Sequence, residues 1–137
     1  MKAIADTGFI VAFVNREDQY HNWASEIGRG VSIAEPLLTC EAVLAEAAFQ
    51  VESASRVIAL LQDGFLTVAF DLADNIEEVQ ALAERYRDRK PDLADLCVIR
   101  MSELYETLPV LTVDENDFRV YRRNRRDVIP IICPPRV

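Results

Sequence analysis

Short apolar runs alternate along the chain with longer segments in which apolar residues recur at helical spacing, and this alternation predicts the order of its elements. Lys2 to Asp6 reads as a buried strand, and Thr7-Gly8-Phe9-Ile10-Val11-Ala12-Phe13-Val14 as an apolar helix just beyond it. A polar turn, Asn15 to Gln19, leads into a helix whose Tyr20, Trp23, Ala24 and Ile27 form one stripe, closed by Gly28 and Gly30. His21, the only histidine, lies beside that stripe with no partner in view and reads as a residue of an exposed turn. Pro36 to Thr39 is a second strand, followed by helices from Glu41 to Val51 and from Ser53 to Gln62, the latter ended by Asp63-Gly64. Leu66 to Phe70 is a third strand, and a helix runs from Asp71 to about Arg87. Pro91 starts the next helix, with Asp92 and Asp95 on one face of its first turn. A strand from Pro109 to Val113, an arginine-rich segment, a last strand from Val128 to Ile132 and a Pro134-Pro135 tail complete the chain.

Strands and helices in alternation with short connections predict an α/β fold: a three-layer sandwich around a central, mostly parallel sheet of about five short strands. A length of 137 residues with 50% hydrophobic content suits one domain, residues 1–137, with a proper core. No apolar run is long enough to span a bilayer, and the first residues reach an acid at Asp6 too early for a secretory signal, so a cytoplasmic location is expected. Cys40, Cys97 and Cys133 are scattered, without the close pairs of a zinc site or disulfide framework, and read as reduced thiols.

Ligands of parallel sheets sit outside the carboxyl ends of the strands. Asp6 falls at the carboxyl end of one strand and Asp114 directly follows another, and the helices carrying Glu46 and Asp95 begin at the same edge. Glu46 stands in Ala42-Val43-Leu44-Ala45-Glu46-Ala47-Ala48-Phe49, a run with no other polar group and no Lys or Arg one turn away. Burying such a carboxylate is expensive unless something neutralises it, and a metal ion would. Asp114 has a second acid, Asp117, on the same turn, as Asp95 has Asp92. Both pairs also fit helix capping, so each alone is ambiguous. Glu41, Asp71, Asp74, Glu77 and Glu78 need no such account, because helix starts favour acids.

The net charge of -8 argues against binding nucleic acid by bulk electrostatics. Its distribution is uneven: Arg85, Arg87, Arg89 and Lys90 form one basic cluster and Arg119, Arg122, Arg123, Arg125 and Arg126 another, nine of fifteen Lys and Arg residues. Either is a solvated face or, with the acids neutralised by cations, a contact for a phosphate backbone.

There is no Gly-rich phosphate loop, no Gly-x-Ser-x-Gly elbow and no His near a Ser or Cys. Oxygen-only ligands suit Mg²⁺ or Mn²⁺. Such a cluster can hold two ions ~3.5–4 Å apart, one activating water for attack on a phosphodiester and the other steadying the leaving oxygen.

Asp6-Thr7, Val43-Leu44-Ala45-Glu46, Asp92-Leu93-Ala94-Asp95 and Leu111-Thr112-Val113-Asp114 with Asp117-Phe118, in that order and spacing, resemble the acidic signature of PIN-domain nucleases. The resemblance covers essentially the whole chain and is greatest to small stand-alone proteins, many of them VapC-type toxins of toxin–antitoxin pairs. It implies a Mg²⁺- or Mn²⁺-dependent endoribonuclease whose core metal positions are Asp6, Glu46, Asp95 and Asp114. Asp92 and Asp117 are then accessory acids, and Thr7 and Thr112 orient ligands. It further implies an RNA substrate, a homodimer, and an antitoxin segment filling a groove near the Tyr20/Trp23 helix. Arg119, Arg122, Arg123 and Arg125 are the candidates for RNA contact. Two other readings compete: a non-catalytic RNA-binding or protein-interaction module with the same fold, and a phosphatase-like enzyme with Asp6 as nucleophile. Against the latter, Gly8 stands where its motif needs a second Asp.

Overall fold

Ile4 and Ala5 form the central strand, β1 (Ile4–Ala5), both without solvent exposure, and the rest of the sheet is hydrogen-bonded outward from it. The computed structural model describes residues 1–136. On one side lie β2 (Leu37–Thr39) and then β3 (Leu66–Val68); on the other, β4 (Val110–Leu111) and then β7 (Ile131–Ile132). Every pairing in this five-stranded sheet, order β3-β2-β1-β4-β7, is parallel. Parallel strands need crossovers, and the helices supply them: α1 (Thr7–Val14), α2 (His21–Gly28), α3 (Glu41–Gln50), α4 (Ala54–Gln62), α5 (Ile76–Arg85), α6 (Leu93–Leu104) and α7 (Glu115–Val120). The sheet is flanked by these helices, with α1 against α2 and α3, and α6 against α3 and α5. Phe9 and Phe118 are wholly buried, as are Ile10, Ile99 and Met101, which fill the core between sheet and helices. No helix among the described residues is long and apolar enough to cross a membrane.

The ladder continues one residue past the strand ends that carry the site: the Asp6 amide donates to Leu111 O (3.0 Å) and the Thr112 amide to Ile132 O (3.1 Å). Asp6 and Thr112 are therefore neighbours on adjacent strands, fixed by backbone hydrogen bonds at the carboxyl edge.

Three expectations change. The strand expected at Val128 to Ile132 is two elements, because Pro130 lacks the amide needed to continue a ladder. Val128 belongs to β6 (Asp127–Val128), which pairs antiparallel with β5 (Arg122–Arg123), while Ile131 and Ile132 join the main sheet. The segment from Asp71 is a 3₁₀ turn (Leu72–Asn75) before α5, with a second 3₁₀ turn (Arg87–Arg89) after it. Finally, α6 begins at Leu93, so Pro91 precedes the helix and Asp92 takes its N-cap position in an extended conformation, with no side-chain capping bond.

Candidate active site

Asp6 closes β1 and occupies the N-cap position of α1, yet its carboxylate makes no capping bond. It is 1% exposed and accepts a hydrogen bond from Thr112 Oγ1 at 2.8 Å. The same hydroxyl accepts from the Asp114 amide at 3.0 Å, so one buried threonine ties two acids together. Burial pushes the Asp6 carboxyl up to about 7, opposed by the Thr112 hydrogen bond and reinforced by the charges of Asp114 and Glu46.

Asp95 enters from the first turn of α6. Its carboxylate is half-buried, and Tyr121 Oη donates to Oδ2 at 3.2 Å. Burial, reinforced by the charges of Asp6 and Asp92 and opposed by the Tyr121 hydrogen bond, raises Asp95 to about 7. Asp114, exposed at the start of α7, is raised by partial burial and by the charges of Asp117 and Asp92. Carboxylate oxygens of Asp6, Asp95 and Asp114 all lie within 4.8 Å of one another. They converge because two strand ends and one helix start meet at one edge. Gly8 permits the approach: a Cβ there would fall 2.2 Å from Val113 Cγ2, so only a glycine in the first turn of α1 lets that turn lie against the segment after β4.

The structure does not bring all predicted acids equally close. Glu46, five residues into α3, adds no oxygen to the set of three; it lies beside it, half-buried, and is raised first by burial and then by the charge of Asp92. Thr7 Oγ1 lies near enough to Glu46 to favour its charged form, but makes no hydrogen bond of ordinary geometry and remains a buried oxygen without a partner among the described residues. Asp92 stands at the exposed rim and adds its charge to Glu46 and Asp95. Asp117 is held by Arg89 Nη2 at 2.8 Å. An open cleft of about 590 Å³, lined by Val113, Asp114, Glu115, Asn116, Asp117 and Arg136, runs from the cluster into solvent.

A hard divalent cation fits this place. The donors are carboxylate oxygens only, they repel one another unless protonated or neutralised, and an unpartnered hydroxyl stands beside them.

Several arginines of the second cluster make bonds within the chain. Arg119 pairs with Glu115 at 2.7 Å, and Arg122 folds back on the carbonyls of Arg119, Val120 and Tyr121 at the end of α7. Arg123 Nη1 donates to Ser102 O at 2.9 Å, a link from the β5–β6 hairpin to α6. Arg125 and Arg126 stand exposed at the hairpin tip. His21 is also not on an exposed turn: it opens α2, half-buried, with Nδ1 2.7 Å from Ala12 O. Tyr20 lines a groove of about 450 Å³ with Val113, Glu115 and Pro135, while Trp23 packs edge-on against Phe9 at 5.7 Å. The contact of Tyr121 with Asp95 has no counterpart in the sequence reading, because a 26-residue separation gives it no local signal.

A parallel α/β sheet with three carboxylates, from buried Asp6 to exposed Asp114, gathered at its carboxyl edge defines a class of proteins with an acidic centre beside an open cleft. Within that class, the PIN domain family model matches residues 3–124, and the chain belongs to that family. PIN domains are in general nucleases that use divalent metals and act on nucleic acid. No curated protein sequence matches the chain.

Proposed function

We propose that this chain is a Mg²⁺- or Mn²⁺-dependent endoribonuclease that hydrolyses RNA phosphodiester bonds, and that it is the toxin of a toxin–antitoxin pair. The convergence of the Asp6, Asp95 and Asp114 carboxylates within 4.8 Å carries the reading. These three would hold the cation, with Glu46 and Asp92 at its margin and Asp117 further along the cleft. When bound, the ion supplies a water of lowered pKa and a Lewis acid for the phosphate. The chain's own work is positioning. The Thr112 hydroxyl fixes Asp6 by donating to its carboxylate and Asp114 by accepting from its backbone amide. Thr7 offers its unpartnered oxygen at the floor. The open cleft beside Asp114 admits an extended strand.

A homodimer and an antitoxin segment in the groove beside Tyr20 fit the same reading. Exposed apolar side chains at Phe49, Ile58, Ile76 and Leu93 offer surface for such partners to cover. In a toxin of this kind the RNA substrate is met in the cytoplasm.

Replacing Asp6 or Asp95 by Asn should abolish Mg²⁺-stimulated RNA cleavage by a chain that remains folded. RNA profiling after induced expression, wild type against Asp95→Asn, would read activity and target together. Cleavage that persists in both variants sinks the proposal, and metal-independent RNA binding without turnover would favour a non-catalytic module.

A further inference from the structure

Tyr121 is the only side chain on the described residues that donates a hydrogen bond to Asp95, and its surroundings leave the hydroxyl little choice of direction. The ring is 2% exposed at the end of α7. Tyr86 meets it edge-on at 5.0 Å and Phe118 does so at 5.3 Å from another side. The Arg89 guanidinium lies 6.0 Å from the ring centroid while bound to Asp117. Tyr86 is itself pinned, accepting from the Arg122 amide at 2.7 Å. Aromatic packing thus fixes the ring, and the ring fixes the position of one polar atom, Oη, at the carboxylate.

Asp95 needs such a support. Asp6 is held by Thr112 and by its place in the sheet, and Asp114 by its own amide on Thr112. Asp95 stands on a helix, outside the sheet's hydrogen-bond ladder, so without Tyr121 its carboxylate could rotate away from the other two. Groups that orient a metal's ligands typically change affinity by about 10- to 100-fold when removed.

We infer that Tyr121 is a positioning residue: through its hydroxyl it holds the Asp95 carboxylate turned toward Asp6 and Asp114, ready to receive the cation. This rests on the proposed metal-dependent nuclease reading. The whole ring cage, from Tyr86 and Arg89 to Phe118, is then part of the site although none of it touches the ion.

The test is Mn²⁺ binding by calorimetry on the full chain, for wild type, Tyr121→Phe, Asp95→Asn and the double variant. Tyr121→Phe keeps the ring and its packing and removes only the hydroxyl. Its Mn²⁺ dissociation constant should rise about tenfold, while the double variant binds no worse than Asp95→Asn, because the tyrosine acts only through that carboxylate. The Mg²⁺ concentration for half-maximal cleavage should rise in step, with the rate at saturating Mg²⁺ nearly retained. Equal Mn²⁺ affinity in wild type and Tyr121→Phe overturns the inference, and so does a loss in the double variant that is the sum of the single losses. A wild-type chain that takes up no Mn²⁺ overturns the nuclease reading, and the role of Tyr121 with it.

Discussion

Asp6 illustrates what a buried acid does to the molecule that carries it. Its carboxyl is held near 7 by burial, as is that of Asp95, against an ordinary value of 3.8. Between about pH 4 and pH 7 the metal-free folded chain therefore binds more protons than the unfolded chain. The resulting stability is complete below about pH 4 and disappears as pH rises through about 7. At ~1.4 kcal/mol per tenfold change in proton affinity, Asp6 alone is worth on the order of 4 kcal/mol over that window. Urea unfolding in a chelator should show a stability that falls from about pH 5 to about pH 8, and Asp6→Asn should flatten the fall. Mg²⁺ added at the higher pH should restore the wild type and leave the variant unchanged. A rising or flat wild-type profile would contradict the burial of these acids. At this scale, acids in apolar company were legible in the sequence, since a charged residue after a buried strand is conspicuous. Tyr121 was not legible, because aromatic residues are usually core and nothing local distinguishes one whose hydroxyl meets an acid on another element.

The elements fix which acids meet. The first turn of α1 and the segment after β4 touch at Gly8 and Val113, where an added Cβ would stand 2.2 Å from the valine. Alanine would favour the helix by about 1 kcal/mol, but a stiff β-branched side chain held beside the sheet cannot yield that much space. Gly8→Ala should therefore destabilise by about 1–3 kcal/mol and weaken Mn²⁺ binding, since the turn carrying Asp6 and Thr7 must shift. Gly28→Ala, whose Cβ would stand 2.5 Å from Phe13 Cε1, should destabilise similarly in urea while leaving Mn²⁺ affinity alone. The order of strands and helices could be read from the hydrophobic pattern, because burial imposes it. The ends could not. Asp6, Asp92 and Asp114 sit at N-cap positions without making the side-chain capping bond, so the bias that makes acids frequent at helix starts conceals a different use of their carboxylates. The hairpin of β5 and β6 escaped notice because its turn contains no glycine: Asn124 and Arg125 adopt the left-handed backbone angles, φ 49° and 71°, and an arginine does not advertise one.

At the scale of the whole molecule, a net charge of -8 and an acidic cleft oppose a polyanion until cations occupy the cleft. RNA affinity, read by fluorescence anisotropy in Ca²⁺ as a slow-reacting substitute for Mg²⁺, should be about tenfold tighter than in chelator. Affinity independent of divalent ions would shift the weight to the exposed hairpin tip at Arg125 and Arg126. Within the second basic cluster, Arg122 and Arg123 are drawn into intramolecular hydrogen bonds that sequence spacing does not disclose. The bond from Thr112 to Asp6 joins residues 106 positions apart. During synthesis, a nascent chain emerging from the ribosome must therefore present β4 before its first acid acquires a partner. Such distant closures are slow to form, so a chain stalled after α6 would display most of the acids and none of the assembled centre.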